Sequence, residues 1–147
     1  MSADEREDEE HQERTGMRNM NNDSTGESCG KDIYQLCNVF TGYVFDVLVD
    51  IFQWERDPHL TESDAKTLHR VSGVVRRILL LALHNASDVP DFTELSLAME
   101  RAVDVIAKSD PGDIVMYKRI IATRREARKL ALAGVDKRKP PVDLGVW

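Results

Sequence analysis

In four stretches of this chain, apolar residues recur every three or four positions, and each stretch stops at a cluster of turn formers. That period belongs to one face of an α-helix. The first stretch runs from Ile33 to Trp54 through Leu36, Cys37, Phe40, Tyr43, Val44, Val47, Leu48, Ile51 and Phe52. Its β-branched and aromatic residues also suit a strand, but its length favours helix. Pro58 disfavours helical geometry at Asp57. The second stretch opens at Leu60–Asp64, where Thr61 and Asp64 resemble a capping pair. Leu68, Val71, Val75, Ile78, Leu79 and Ala82 follow at helical spacing, and Val74, Leu80, Leu81 and Leu83 widen the apolar surface. The span Ile78–Leu83 is therefore expected to be buried on most sides. Asn85–Pro90 breaks it. The third stretch starts near Asp91 and Thr93 and carries Phe92, Leu95, Leu97, Ala98, Met99, Ala102, Val103, Val105 and Ile106. Lys108–Asp113, with Pro111 and Gly112, reads as a turn. The fourth is expected from Ile114 to about Ala133, with Gly134 as terminator, and Pro140 and Pro141 bar a helical continuation. There is no internal repeat. The pattern predicts an all-α fold, a small helical bundle.

Charge divides the chain further. Of its 147 residues, 20 are Lys or Arg and 26 Asp or Glu, a formal net charge of −6. Residues 1–30 hold nine acids and three bases and lack Leu, Ile, Val and every aromatic. Such a segment buries too little apolar area to offset chain entropy. It is expected to be a disordered acidic tail, with a helical domain over 31–135 and a basic, proline-containing extension over 136–147. From Lys118 to Lys139 there are nine bases and two acids, Glu126 and Asp136.

Enzyme signatures are missing. No glycine loop that cradles phosphate, no nucleophile elbow and no zinc-protease pair occurs in the sequence. Cys29 and Cys37 form no disulfide framework, and the four histidines (His11, His59, His69, His84) do not join them at metal-ligand spacing. The expectation is a binding protein without cofactor, metal or small-molecule substrate. No apolar run of about 18–20 residues is expected to span a membrane, and no signal segment opens the chain. A reducing, cytoplasmic setting fits.

Three short stretches carry a resemblance. Residues 67–77 read Thr67-Leu68-His69-Arg70-Val71-Ser72-Gly73-Val74-Val75-Arg76-Arg77. They resemble the third homology motif of the Bcl-2 apoptosis-regulator family, an amphipathic helix with Leu, three spacers, then Gly-Asp. Val39-Phe40-Thr41-Gly42-Tyr43-Val44-Phe45 is similar to the first helix of Bak-type members. Asp113–Ile121 resembles the first homology motif, whose core is Asn-Trp-Gly-Arg, with Tyr117 at the aromatic position and Arg119 at the arginine. The resemblance covers about residues 32–123. It implies a Bcl-2-like bundle with a surface groove that sequesters amphipathic death-motif helices of pro-apoptotic Bcl-2 proteins. Arg119 would meet an acid on that helix. The groove would be lined by Val75 and Leu79 on one wall and by Val103 and Ile106 on the other, with Tyr117 beside Arg119.

The departures shape that expectation. Lys118 stands where the family has Gly, and Ser72-Gly73 replaces Gly-Asp. Without that Asp the chain resembles a groove-bearing inhibitor more than a killer ligand. The family's next helix is central and apolar, but here it reads Ala122-Thr123-Arg124-Arg125-Glu126-Ala127-Arg128-Lys129, whose charges require partners if buried. The later helices and the membrane anchor of the family have no counterpart, as in a truncated, viral-inhibitor-like member, and a homodimer is one way to cover apolar surface so exposed. Two rivals stay open. One is a histone-fold-like pairing module that binds nucleic acid through Arg124, Arg125, Arg128, Lys129, Lys137, Arg138 and Lys139. The other is a pro-apoptotic member of the same fold.

Overall fold

The computed structural model describes residues 20–29, 33–56, 62–88 and 90–133. Within them the chain is all-helical: α1 (Ile33–Glu55), α2 (Asp64–Asn85), α3 (Phe92–Ile106) and α4 (Pro111–Ala127), then a 3-10 turn at Leu130–Leu132. No strand occurs among the described residues. α1 packs on α2, α2 on α3 and α3 on α4, and α4 closes the ring against α1. Short connections make sequence neighbours antiparallel. The closing pair is antiparallel too: Glu55 near the end of α1 meets Tyr117 early in α4, and Asp46 meets Arg128 just past its end.

Each helix begins for a local reason. Ser63 caps α2, its side chain accepting from the Lys66 amide. The sequence favoured Thr61 for that role, and Thr61 lies outside the described residues. Asp91 caps α3 by accepting from the Glu94 amide at 2.6 Å. Asp110 accepts from the amides of Gly112 and Asp113. It starts α4 at Pro111, three residues earlier than the apolar pattern indicates. Proline suits the first helical position because the amide it lacks has no intrahelical acceptor there.

The core is built from single inward stripes. α1 contributes Val39, Tyr43, Val47 and Ile51, four apart; α2 contributes Val71, Val75, Ile78 and Ala82. Met99 and Val103 of α3 and Ile120 and Ile121 of α4 meet them, and Leu130 is buried with them. Two expectations are corrected here. Leu80 and Leu83 are exposed, not buried, because among the described residues α2 packs mainly against α1 and α3 and keeps an outward face. Gln35–Glu55 is long and apolar enough to cross a membrane by length and composition alone. In the bundle its apolar stripe faces the core, and its Asp46 and Asp50 pair with arginines.

α4 ends earlier than the apolar pattern suggests. Arg128 caps it, and Lys129 takes a left-handed conformation with φ 52°, a geometry that terminates helices. The chain then turns so that Leu130 enters the core. Gly134 and the extension over 136–147 lie outside the described residues.

Residues 20–29, assigned to the tail by composition, instead form a strap against this end of the bundle. The Gly26 amide donates to the Arg128 carbonyl at 2.7 Å, and the Asn22 side chain donates to the Asn38 carbonyl of α1. Composition misses this because the strap is held chiefly by hydrogen bonds and an ion pair, with Cys29 its one apolar contact to the core among residues 20–29. Residues 1–19, the remainder of the expected tail, lie outside the described residues.

Gly26 is buried, and a Cβ there would collide with the carbonyl of Lys129 and the amide of Ala133. Gly26→Ala is therefore expected to lower stability by about 1–3 kcal/mol, the usual range for overpacking, or to detach the strap. Urea unfolding measures the first outcome. Fast amide exchange confined to residues 20–29 marks the second. Wild-type behaviour in both assays contradicts the docked strap.

Candidate functional site

The densest polar constellation lies where α1 and α4 meet. Asp46 and Asp50 are four apart on α1; Arg124 and Arg128 are four apart along the opposed segment. Residues four apart share a helix face, so the two pairs meet as rungs. Arg124 grips Asp50 with two bonds, Nε to Oδ2 at 2.6 Å and Nη2 to Oδ1 at 2.9 Å. Arg128 Nε donates to Asp46 Oδ2 at 2.7 Å, and Arg124 approaches the same carboxylate at 3.9 Å. The hydrogen bonds to Asp50 raise the Arg124 pKa above its ordinary value, against partial burial and with the charges of Asp50 and Asp46 adding to the rise.

Arg128 is the hub. Only 7% of it is exposed. Besides Asp46, its Nη1 donates to Asn22 Oδ1 at 3.0 Å and to the Ser24 carbonyl at 2.8 Å. Gly42 of α1 makes room for it, since a Cβ there would sit 2.5 Å from Nη1. A pocket of about 210 Å³ opens beside this hub, lined by Asp23, Thr25, Asp46, Arg124, Ala127 and Arg128. Its lining holds two cations, Arg124 and Arg128, beside two carboxylates, Asp23 and Asp46.

Two further polar clusters brace the bundle. Arg125 bridges to Glu100 at 2.7 Å and to Ser96, whose hydroxyl bonds the buried Tyr43 hydroxyl at 2.6 Å. Burial pushes the Tyr43 phenol up to about 12, against the pull of the Ser96 bond and the Arg125 charge. At the far end of the bundle, the Tyr117 hydroxyl donates to Glu55, and Trp54 Nε1 donates to Asp113 Oδ1 at 3.1 Å. Burial also raises the Tyr117 phenol, followed by the bond to Glu55 and the carboxylate charges nearby. The Glu55 carboxyl is raised by burial, with Asp113 adding to that and the Tyr117 bond and Arg70 opposing it.

The residues singled out from sequence do not gather into an open groove. Val75, Val103 and Tyr117 are buried in the core. Leu79 and Ile106 are half-buried and packed against that core. Core and groove residues share the same helical spacing, so periodicity alone does not separate them. Arg119 is exposed on α4 and pairs with no carboxylate among the described residues. Four cations of the proposed nucleic-acid cluster are already engaged: Arg124, Arg125 and Arg128 as above, and Lys129 with Glu27. Lys137, Arg138 and Lys139 lie outside the described residues. Cys29 and Cys37 are free, and no group able to hold a metal occurs among the described residues. The sequence signal of this paired ladder is the matched four-residue spacing of Asp46/Asp50 and Arg124/Arg128, which periodicity of apolar residues does not report.

Compared with known proteins, the chain matches no family model, no curated protein and no solved structure.

Two outcomes follow from these clusters. Arg128→Ala leaves Asp46 with only its longer contact to Arg124 and removes the strap's bonds to the guanidinium, an expected loss of about 3 kcal/mol, the lower end for breaking a buried pair. Asp46→Ala is expected to cost a similar amount, and the double variant less than the sum. Additive losses in urea unfolding contradict the coupling. Alkaline titration tests the phenols. An unfolded tyrosine ionises near 10, and folded Tyr43 near 12. The folded state holds the proton longer, so stability is intact below about pH 10 and falls as pH rises toward about 12. Phenolate absorbance from Tyr43 and Tyr117 is expected to appear together with loss of the helical circular-dichroism signal. Ionisation of every tyrosine near pH 10 with full helicity contradicts their burial.

Proposed function

We propose that this chain is a cytoplasmic, non-enzymatic inhibitor of apoptosis of the Bcl-2 kind, which sequesters an amphipathic death-motif helix of a pro-apoptotic Bcl-2 protein. One observation carries the reading. The segment 119–128 holds four arginines, and Arg124, Arg125 and Arg128 each have a carboxylate within the bundle. Arg119 has none among the described residues and stands exposed, at the arginine position of the first-motif resemblance. A guanidinium free in this way suits directional capture of one carboxylate on an incoming helix. Val115, one turn earlier on the same face, is 59% exposed and offers the apolar neighbour that such a helix requires.

The all-helical bundle is compatible with this reading, and α2 carries the third-motif stretch within a regular helix. The recognition surface differs from the one implied by the family pattern, since Val75, Val103 and Tyr117 are committed to the core. The nucleic-acid reading is weaker, because four of its seven cations are neutralised internally.

Calorimetric titration of the full chain with death-motif peptides tests the proposal. Binding to at least one peptide is expected, weakened by about 2 kcal/mol or more in Arg119→Glu, the scale for losing a paired charge. Because Arg119 is exposed, the variant is expected to keep its melting midpoint. No binding by a folded chain, or equal affinity in the variant, overturns the proposal.

A further inference from the structure

A different helix carries an unexplained surface. Along α2, Leu68, Ser72, Arg76, Leu80 and Leu83 follow one another at helical spacing and are all exposed. Leu68 is 44% exposed, Leu80 57% and Leu83 48%. Three leucines on one outward face are more than scattered surface apolarity. They lie on a helix with four bases (Lys66, Arg70, Arg76, Arg77) against one acid (Asp64), within a chain of net charge −6. Arg70 is tied to Glu55 and Glu62. Arg76 and Arg77 have no carboxylate partner among the described residues; Arg77 turns back to the Gly73 carbonyl of its own helix.

Gly73 lies midway along α2 at the edge of this face, two turns before Leu80. A glycine within a helix costs about 1 kcal/mol relative to alanine. Nothing inside the fold requires it: a Cβ at Gly73 would have nothing within 4 Å, and the backbone there is ordinary helix. Gly26 and Gly42, in contrast, are filled by neighbouring atoms. What an open notch beside Leu80 permits is the close approach of a second backbone, as at helix crossings built on small residues.

We propose that the outer face of α2 docks an amphipathic helix of another protein, crossing at Gly73, with leucine-type residues against Leu68, Leu80 and Leu83 and acidic residues against Arg76 and Arg77. Charge selects this occupant over a second copy. A two-fold contact centred on Gly73 would bring Arg76 and Arg77 of both copies within a turn of the axis, like charge against like. An anionic membrane would satisfy the same cations but makes no use of the notch.

The test uses the full chain and a synthetic helical peptide with Leu at i, i+3, i+4 and i+7 and Glu on both flanks. The control peptide carries Lys in place of Glu. By fluorescence anisotropy the Glu peptide is expected to bind and the Lys peptide to fail. Leu80→Asp with Leu83→Asp, and separately Gly73→Leu, are expected to weaken binding by about tenfold or more. Both sites are open to solvent, so the helical circular-dichroism signal is expected to persist. Arg76→Glu with Arg77→Glu is expected to reverse the preference toward the Lys peptide. Equal affinity for the two peptides overturns the proposal, as does binding indifferent to these substitutions. So does the pattern in which phosphatidylserine vesicles bind through the same residues while neither peptide does, or in which sedimentation shows a dimer that those substitutions dissolve.

Discussion

Arg128 is the residue on which the end of this bundle depends. Four helices can close only if α4 lies against α1, and the segment that must do so is among the most basic in the chain. Burying an unpaired guanidinium is prohibitive. The chain meets that constraint with a ladder: Asp50 takes Arg124, Asp46 takes Arg128, and Glu100 on α3 takes Arg125. Gly42 is small enough to admit the Arg128 guanidinium, and Asn22 and Ser24 accept from its Nη1. No buried side-chain nitrogen or oxygen among the described residues lacks a partner.

The same ladder organises what lies outside it. By using the α4 arginines internally, it leaves Arg119 free on that helix and removes much of the basic patch that the linear sequence displays. By tying residues 20–29 to Arg128, it makes part of a polar, acidic segment integral to the domain. Two exposed patches stand out: Arg119 with Val115 on α4, and the leucine face beside Gly73 on α2. Both are unburdened by internal pairing, and both suit an incoming helix, which supplies apolar anchors and carboxylates together.

Legibility in the sequence followed the range of the interaction. The helices at 33–55, 64–85 and 92–106 were readable because period and caps are local properties. Asp91 before Phe92 and the break at Asn85–Pro90 needed no tertiary information. Pro111 reads as loop in the sequence, since a proline that ends one helix and one that begins the next look alike without the cap at Asp110. Val75, Val103 and Tyr117 fit a groove and a core equally well in the sequence, because an inward stripe and a ligand-facing stripe have the same period. Leu80 and Leu83 erred the other way, toward burial, because hydrophobicity does not report how many neighbours a helix has.

Sequence alone therefore determined the helical class, the order and approximate limits of the helices, and the absence of recognisable enzyme motifs, all consequences of local periodicity and residue chemistry. Only the tertiary structure decided which charges cancel. Asp46 and Arg128 are separated by 82 positions and Asn22 and Arg128 by 106, and nothing local joins them. Their pairing exists because α1 and α4 are antiparallel neighbours, a fact of topology. That topology turns a basic stretch into a buried brace, an acidic tail segment into a strap, and Arg119 into the cation left facing outward.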